Sequence, residues 1–465
     1  MFHFVHKLSC SMSVFVLAPV ILMGWSSPCL AQNKGSSKAK TNKPKQLKPR
    51  LRPTLSVTKT KKVSLPSLVT YGKVVSFSTL VKRAIQKNST LVRMRHRVRV
   101  FQAQEKKRGA WPDLQVGIQL VNFPLPTFNP GATAMSGIQY NLSQKFPILR
   151  RLGLERKFAK LTTAMMREDV KEQEVWVKYR ILEAIAWMSY YKEAISTDKE
   201  LFLLTRQAAE VARAKYAVGK GSQQNLLQAL TVQAQIRNQM LGLVAQERTQ
   251  RYKLARLLGL PGLFQQDVTA VKLAPSKLKP KALLSLSQKN RGSMLRWNIA
   301  ARQARTLLHL AKVRYWPDVS VQLGIRQRFP NPVDSGNPFL TVGVKVALPT
   351  WGNTARYAWV KEAMARHQLA RKQQIETLAR IKENIQLVLT QVRLYDQQIQ
   401  VFQQQVLPLA LQTYRSALSS YQVDRVDFLN LLASLQTLFK EKLKVIRLQT
   451  KRTIALARLK AITGK

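Results

Sequence analysis

Three histidines of the 465-residue chain lie beyond its first thirty residues, His96, His309 and His367, and each sits in a helical stretch among basic neighbours. Isolated in that way they read as surface side chains, and they form no zinc-binding pair at helical spacing. Glu172 and Glu174 are the closest thing to a carboxylate pair for acid–base work, but they lie in a long charged helix, where a solvated face is the simpler reading. Trp176, Tyr179, Trp187 and Tyr190 recur near helical spacing and are expected to pack between helices. No Gly-rich phosphate loop, nucleophile elbow or His–Glu–His zinc motif is present. The chain thus reads as a non-enzyme without cofactor or metal.

The residues are placed by an unusual composition. Lys and Arg number 77 against 23 Asp and Glu, a net charge of +54, while 45% of residues are apolar. That apolar content excludes wholesale disorder. Leu8 to Trp25 is the one long apolar run, which excludes a helical multispan membrane protein but leaves a β-barrel open, because a barrel is written as alternation.

Residues 1–31 read as a secretory signal: Lys7, an apolar stretch, then Cys29-Leu30-Ala31 before Gln32, with lipid attachment at Cys29 as the alternative. The only other cysteine is Cys10, so cleavage after Ala31 leaves no thiol for disulfides, metal or catalysis. Residues 32–73 hold twelve basic residues and no acidic one, a disordered basic arm that either touches an anionic surface or serves as a solvated linker. Exported, the arm has no nucleic acid to meet.

An internal repeat sets the architecture. Trp111-Pro112-Asp113 recurs as Trp316-Pro317-Asp318, Tyr190 as Tyr395, Tyr216 as Tyr421 and Gly259 as Gly464, all at an offset of 205 residues. Gln86-Lys87-Asn88 matches Gln288-Lys289-Asn290 at 202. Two copies result, 74–260 and 281–465, joined by a linker over 261–280 containing Pro261, Pro275 and Pro280.

In each copy a helix leads to the Trp-Pro-Asp signal, after which the period changes to two. Leu114, Val116, Ile118 and Leu120 alternate with polar residues, and so do Ile138, Tyr140 and Leu142. Val319 to Ile325 and Leu340 to Leu348 repeat the pattern, giving strands over about 113–123, 137–146, 318–328 and 339–348. Between Gly153 and Gly219 there is no Gly or Pro, so a helix of ~95 Å follows. The matching segment of the second copy carries a kink at Pro408. Tight turns at about 217–222 and 422–427 start the return helices, with Ser222 and Asp427 as N-caps. Four such strands cannot close a membrane barrel alone, since the smallest use about eight, so copies must share one.

These residues resemble the TolC-like outer-membrane efflux proteins. The carriers are the Pro-Asp after each first helix, the strand exit Val344-Lys345-Val346-Ala347-Leu348-Pro349, the tip Tyr216-Ala217-Val218-Gly219-Lys220-Gly221-Ser222, and the ends Leu257-Leu258-Gly259 and Ile462-Thr463-Gly464. The resemblance implies a homotrimer with a twelve-stranded outer-membrane β-barrel continuous with a twelve-helix periplasmic tunnel. It implies a passive conduit fed by an inner-membrane pump through a periplasmic adaptor, or membrane fusion protein. By position, Val218, Gly219, Val423, Asp424 and Arg425 are the adaptor-facing tips and Asn225 and Asn430 the tunnel entrance.

Two departures stand out. The family often carries an acidic residue where this chain has Asn225 and Asn430, so an anionic entrance ring is absent and a pore biased toward anions, or weakly selective, is expected. Asp424 stands where the family tip has Gly, so the second turn is expected to differ in backbone conformation or in adaptor contact. The rival readings are an exported basic coiled-coil protein with a structural or surface-binding role, and a membrane-fusion adaptor. The first leaves the four duplicated alternating segments unexplained, and the second needs a lipoyl-like β-domain that the chain lacks.

Overall fold

The computed structural model describes residues 72, 74–147, 150–269, 273, 279–348 and 352–464. The signal, both cysteines, the arm apart from Gly72, and Pro275 and Pro349 lie outside them. The described residues are mostly helical, with one small sheet and a two-strand accessory.

Each repeat opens with two helices where the sequence suggested one. In the first, β1 (Val74–Val75) leads into α1 (Phe77–Lys87) and α2 (Ser89–Arg108). The break falls at Asn88, whose side chain accepts from the amides of Thr90 and Leu91, satisfying the free donors of α2 while its own amide donates to Leu257 O at 2.9 Å. Strands β2 (Gln115–Val121) and β3 (Gly137–Phe146) follow, then α3 (Arg151–Ala217), 67 residues and about 100 Å long, and the return helix α4 (Gln223–Leu257).

The linker is not structureless. Its β4 (Asp267–Val268) pairs in parallel with β1, and Arg251 donates to the carbonyls of Phe264 and Gln266 while gripping Glu247 and Asp267. The second repeat runs α5 (Pro280–Asn290), α6 (Gly292–Val313), β5 (Asp318–Arg328), β6 (Phe339–Ala347), α7 (Asn353–Val401), α8 (Leu407–Gln422) and α9 (Phe428–Ile462). Pro408 cannot donate to a carbonyl one turn back, and the helix absorbs this with a π-helical turn over Phe402–Val406, in which Leu407 N–H reaches Phe402 O. The irregularity lies one turn before the proline, and the helical path continues through it.

The sheet has the order β2-β3-β5-β6, antiparallel throughout, with β2 and β6 as free edges. Its register places Val116, Leu142, Leu323 and Val342 in one cross-strand row and Ile118, Tyr140, Ile325 and Leu340 in the next, all exposed on one face. The opposite face carries Gln115, Gln119, Asn141, Ser143 and Gln322.

Helix α4 packs along α3, α3 along α9, and α9 along α7 and α8, leaving α4 at one side of the array and α7–α8 at the other. Toward the tips, Phe202 and Ala209 of α3, Ile236 and Met240 of α4, and Phe428, Leu435 and Phe439 of α9 form one core. Two further cores are repeat counterparts: one built on Leu80, Ile181, Leu254 and Leu258, the other on Leu283, Ile385, Leu459 and Ile462.

Each repeat ends on a glycine in the left-handed conformation that closes on its own first helix break. Gly259 (φ 65°) lies so near Lys87 that a Cβ would stand 2.4 Å from its carbonyl oxygen, and Gly464 (φ 78°) meets Asn290 at 3.0 Å. Gly259→Ala is therefore expected to cost about 1–3 kcal/mol of unfolding free energy, and Gly464→Ala less, whereas Gly242→Ala, in open space within α4, is tolerated. Thermal unfolding of the three variants checks the order, and a Gly242 variant as damaged as the Gly259 variant would contradict it.

Candidate functional site

No group of three or more His, Cys, Asp or Glu is gathered as a metal site requires among the described residues. His96, His309 and His367 lie on α2, α6 and α7, the first two exposed and His367 facing Arg305. The two candidate carboxylates have structural tasks. Glu172 accepts from Arg291 Nε (3.0 Å), Trp176 Nε1 (3.2 Å) and the amide of Ser293 (3.2 Å), so α3 caps the start of α6, which has no side-chain cap of its own. Glu174 accepts from Arg95 of α2 at 2.7 Å. Trp176 and Tyr179, and Trp187 and Tyr190, pack edge to face along α3.

The helical tips are built alike. Lys220 N donates to Lys215 O and Arg425 N to Ser420 O, both at 2.9 Å, and Gly219 (φ 73°) and Asp424 (φ 56°) hold the same left-handed position. The expectation of a different backbone at the second turn is thus corrected: aspartate tolerates this conformation better than most side chains. The difference lies in the side chain. Asp424 forms an ion pair with Lys215 of the first tip, and the ammonium lies 4.3 Å from the centre of the Tyr421 ring. The Lys215 hydrogen bond holds the Asp424 carboxyl below the usual range. Val218 and Val423 are 69% and 63% exposed, apolar side chains held out at the two turns.

Ser222 caps α4 by accepting from Asn225 N, whereas Asp427 stands at the N-cap of α9 without a side-chain cap bond. Between the tips lies a polar recess of about 250 Å³ lined by Lys215, Lys220, Asn225, Asp424, Arg425 and Asp427 among others. The structure brings Asn225 to this recess; Asn430 is exposed on α9 outside its lining.

Sequence reasoning missed Asp198. It is 1% exposed, it faces a cavity of about 460 Å³ between α3, α4 and α9, and neither carboxylate oxygen finds a hydrogen-bond partner of good geometry. Burial pushes its carboxyl up to about 6, with the nearby Gln239 amide offsetting only part of the effect. The signal was available, because Ala194, Ile195, Asp198, Leu201, Phe202 and Thr205 form one buried stripe of α3, with a carboxylate in the middle of it. Lys215 could not be found in this way, since its partner is 209 residues away.

No protein-family model matches the chain, and no curated protein does. Solved structures do. The outer membrane protein VceC of Vibrio cholerae is similar with a TM-score of 0.70 at 20% identity, over 83% of this chain and 96% of that one. The CmeC outer membrane channel of Campylobacter jejuni gives 0.70 at 14%, over 83% and 85%, and the open-state MtrE outer membrane channel of Neisseria gonorrhoeae 0.66 at 16%, over 83% and 88%. The chain therefore has the fold of these outer-membrane channels, the fold that the resemblance read from the residues implies. The described residues hold it as an open sheet and a long helical array.

Asp198 yields a pH prediction. Between its ordinary value of 3.8 and about 6 the carboxyl ionises in the unfolded chain but not in the folded one, so the stability it allows below 3.8 is lost as pH rises through about 6. Asp198→Asn is expected to raise the melting temperature at neutral pH and to leave it unchanged below pH 3.8, as melting curves across pH will show. A gain that is the same at every pH would contradict the assignment.

Proposed function

We propose that the chain is the outer-membrane channel component of a tripartite export system, a passive conduit from a periplasmic adaptor and inner-membrane pump to the exterior. One observation carries this reading: a four-stranded sheet exposes two apolar cross-strand rows on one face and, among the described residues, leaves both edges unpaired. In water that arrangement is an aggregation hazard, whereas in a bilayer it is one segment of a barrel. Three copies joined β2 to β6 give twelve strands, and cyclic closure lets one interface serve all three.

The surroundings of the sheet support this. Trp111 and Trp316, 63% and 67% exposed, stand at its helical end, and Phe128 is exposed toward the other, as in the aromatic girdles of outer-membrane barrels. The helical array is open in the same sense. Leu227, Leu230 and Leu241 of α4 and Leu387, Leu394 and Leu409 of α7–α8 are exposed at its two sides, where helices of neighbouring copies would cover them. Four helical passes per copy then make a twelve-helix tunnel in the periplasm. On this reading Val218, Gly219, Val423, Asp424 and Arg425 meet the adaptor, and the Lys215–Asp424 pair holds the two tips of one protomer together.

The lipid-facing assignment predicts an asymmetry between the two faces of one sheet. Val342→Arg, on the apolar face, is expected to oppose insertion by about 2–4 kcal/mol and leave the protein outside the outer-membrane fraction, whereas Gln322→Arg, on the polar face, inserts normally. Fractionation with heat-stable oligomer detection reads this out; equal tolerance of both arginines would refute the lipid-facing assignment.

A further inference from the structure

The polar face of the sheet has a charge pattern of its own. Its register sets Lys145, Ser320 and Lys345 in one cross-strand row, with the two lysines on either side of the serine. They line a basin of about 660 Å³ to which Gln322, Asn141 and Ser143 contribute amides and a hydroxyl. The basin's one carboxylate, Asp318, is already engaged twice, by Lys145 Nζ at 2.9 Å and by Arg151 Nη1 at 3.2 Å from the start of α3. Lys345 is exposed and makes no ion pair among the described residues. Asp113, the counterpart of Asp318 in the first repeat, lies outside the basin's lining, in which two lysines stand against one carboxylate. Farther along the same face Arg326 donates to Gln139 Oε1 from both Nε (3.2 Å) and Nη2 (2.8 Å), a neutral partner that leaves the guanidinium charge uncompensated.

Resting on the conduit reading above, we propose that this basin is an anion-attracting filter at the helical end of the barrel, and that the channel favours anionic solutes. Once the sheet is closed in a ring, each copy turns the same lysine row toward the water-filled interior. Like charges on low-dielectric walls raise the local concentration of counterions and exclude co-ions. The amide and hydroxyl groups of the lining supply donors for a partly dehydrated anion, and the one carboxylate there, Asp318, is already held by Lys145 and Arg151. The site discriminates by sign of charge, and its lysine row is built from β3, β5 and β6 of a single copy, distant in sequence from the tip asparagines.

The test is the reversal potential of the purified oligomer in planar lipid bilayers under a KCl gradient. Wild type is expected to pass chloride several-fold more readily than potassium. Lys345→Gln is expected to weaken the preference, and Lys345→Glu, which changes the ring by two charges per copy, to abolish or reverse it. Both variants are first checked for intact oligomers by mass, and Lys345→Gln, which adds no charge, keeps the test alive should Lys345→Glu fail to assemble. A potassium-selective or unselective wild type overturns the proposal, and so does a chloride preference that both variants leave untouched. Intact oligomers that conduct nothing would instead overturn the conduit reading itself.

Discussion

The architecture turns on a sheet whose apolar face the described residues leave uncovered. Strands of seven to eleven residues alternate apolar and polar, interrupted at Gln144 and Gln327, so two cross-strand rows of one face are apolar from edge to edge. At about 25 cal/mol per Å² such a face is a large unspent driving force. None of the nine helices among the described residues is placed to bury it, because the long helices run away from the sheet as a separate array. The same incompleteness recurs in the helical part, where α4 and α7–α8 present leucines with no partner. In the proposed trimer, closure would remove both sets of unpaired edges at once.

The charge distribution shows how a chain of +54 holds long helices side by side. Its few carboxylates are concentrated where elements must be tied. Asp169, Glu172 and Glu174 bind α3 to Arg296, Arg291 and Arg95, and Asp396 of α7 engages Arg452 of α9. Glu247 and Asp267 share the buried Arg251 and pin the linker against α4. Asp198 is the exception, a buried carboxylate without a cation, in a protein with cations to spare. The excess of positive charge is left to exposed faces, including the polar face of the sheet.

Much of this was legible in the residues. The constant offset between Trp111-Pro112-Asp113 and Trp316-Pro317-Asp318 exposed the duplication, and period-two alternation located all four strands, since both signals are local. The tips were legible because Gly219 and Ser222 sit where a turn and an N-cap require them. What escaped depends on contacts distant in sequence or on a choice between equal local options. The leading helix splits at Asn88 because that side chain caps α2, and the equivalent break before α6 is capped by Glu172 from another element altogether. Asp424 adopts the glycine conformation because the turn demands it, and its side chain then finds Lys215. The strand pairing that brings Lys145 and Lys345 to one row needs β3 and β5 to be neighbours across the repeat boundary, which alternation within a strand does not encode.

The central claim is that one chain is a third of a barrel, and the mass of the detergent-extracted oligomer tests it most directly. Native mass spectrometry of the mature protein recovered from the outer-membrane fraction is expected to give three copies, corresponding to twelve strands. A monomer or dimer that stays soluble without detergent would mean that the apolar face of the sheet is covered in some other way, and the conduit would have to be abandoned.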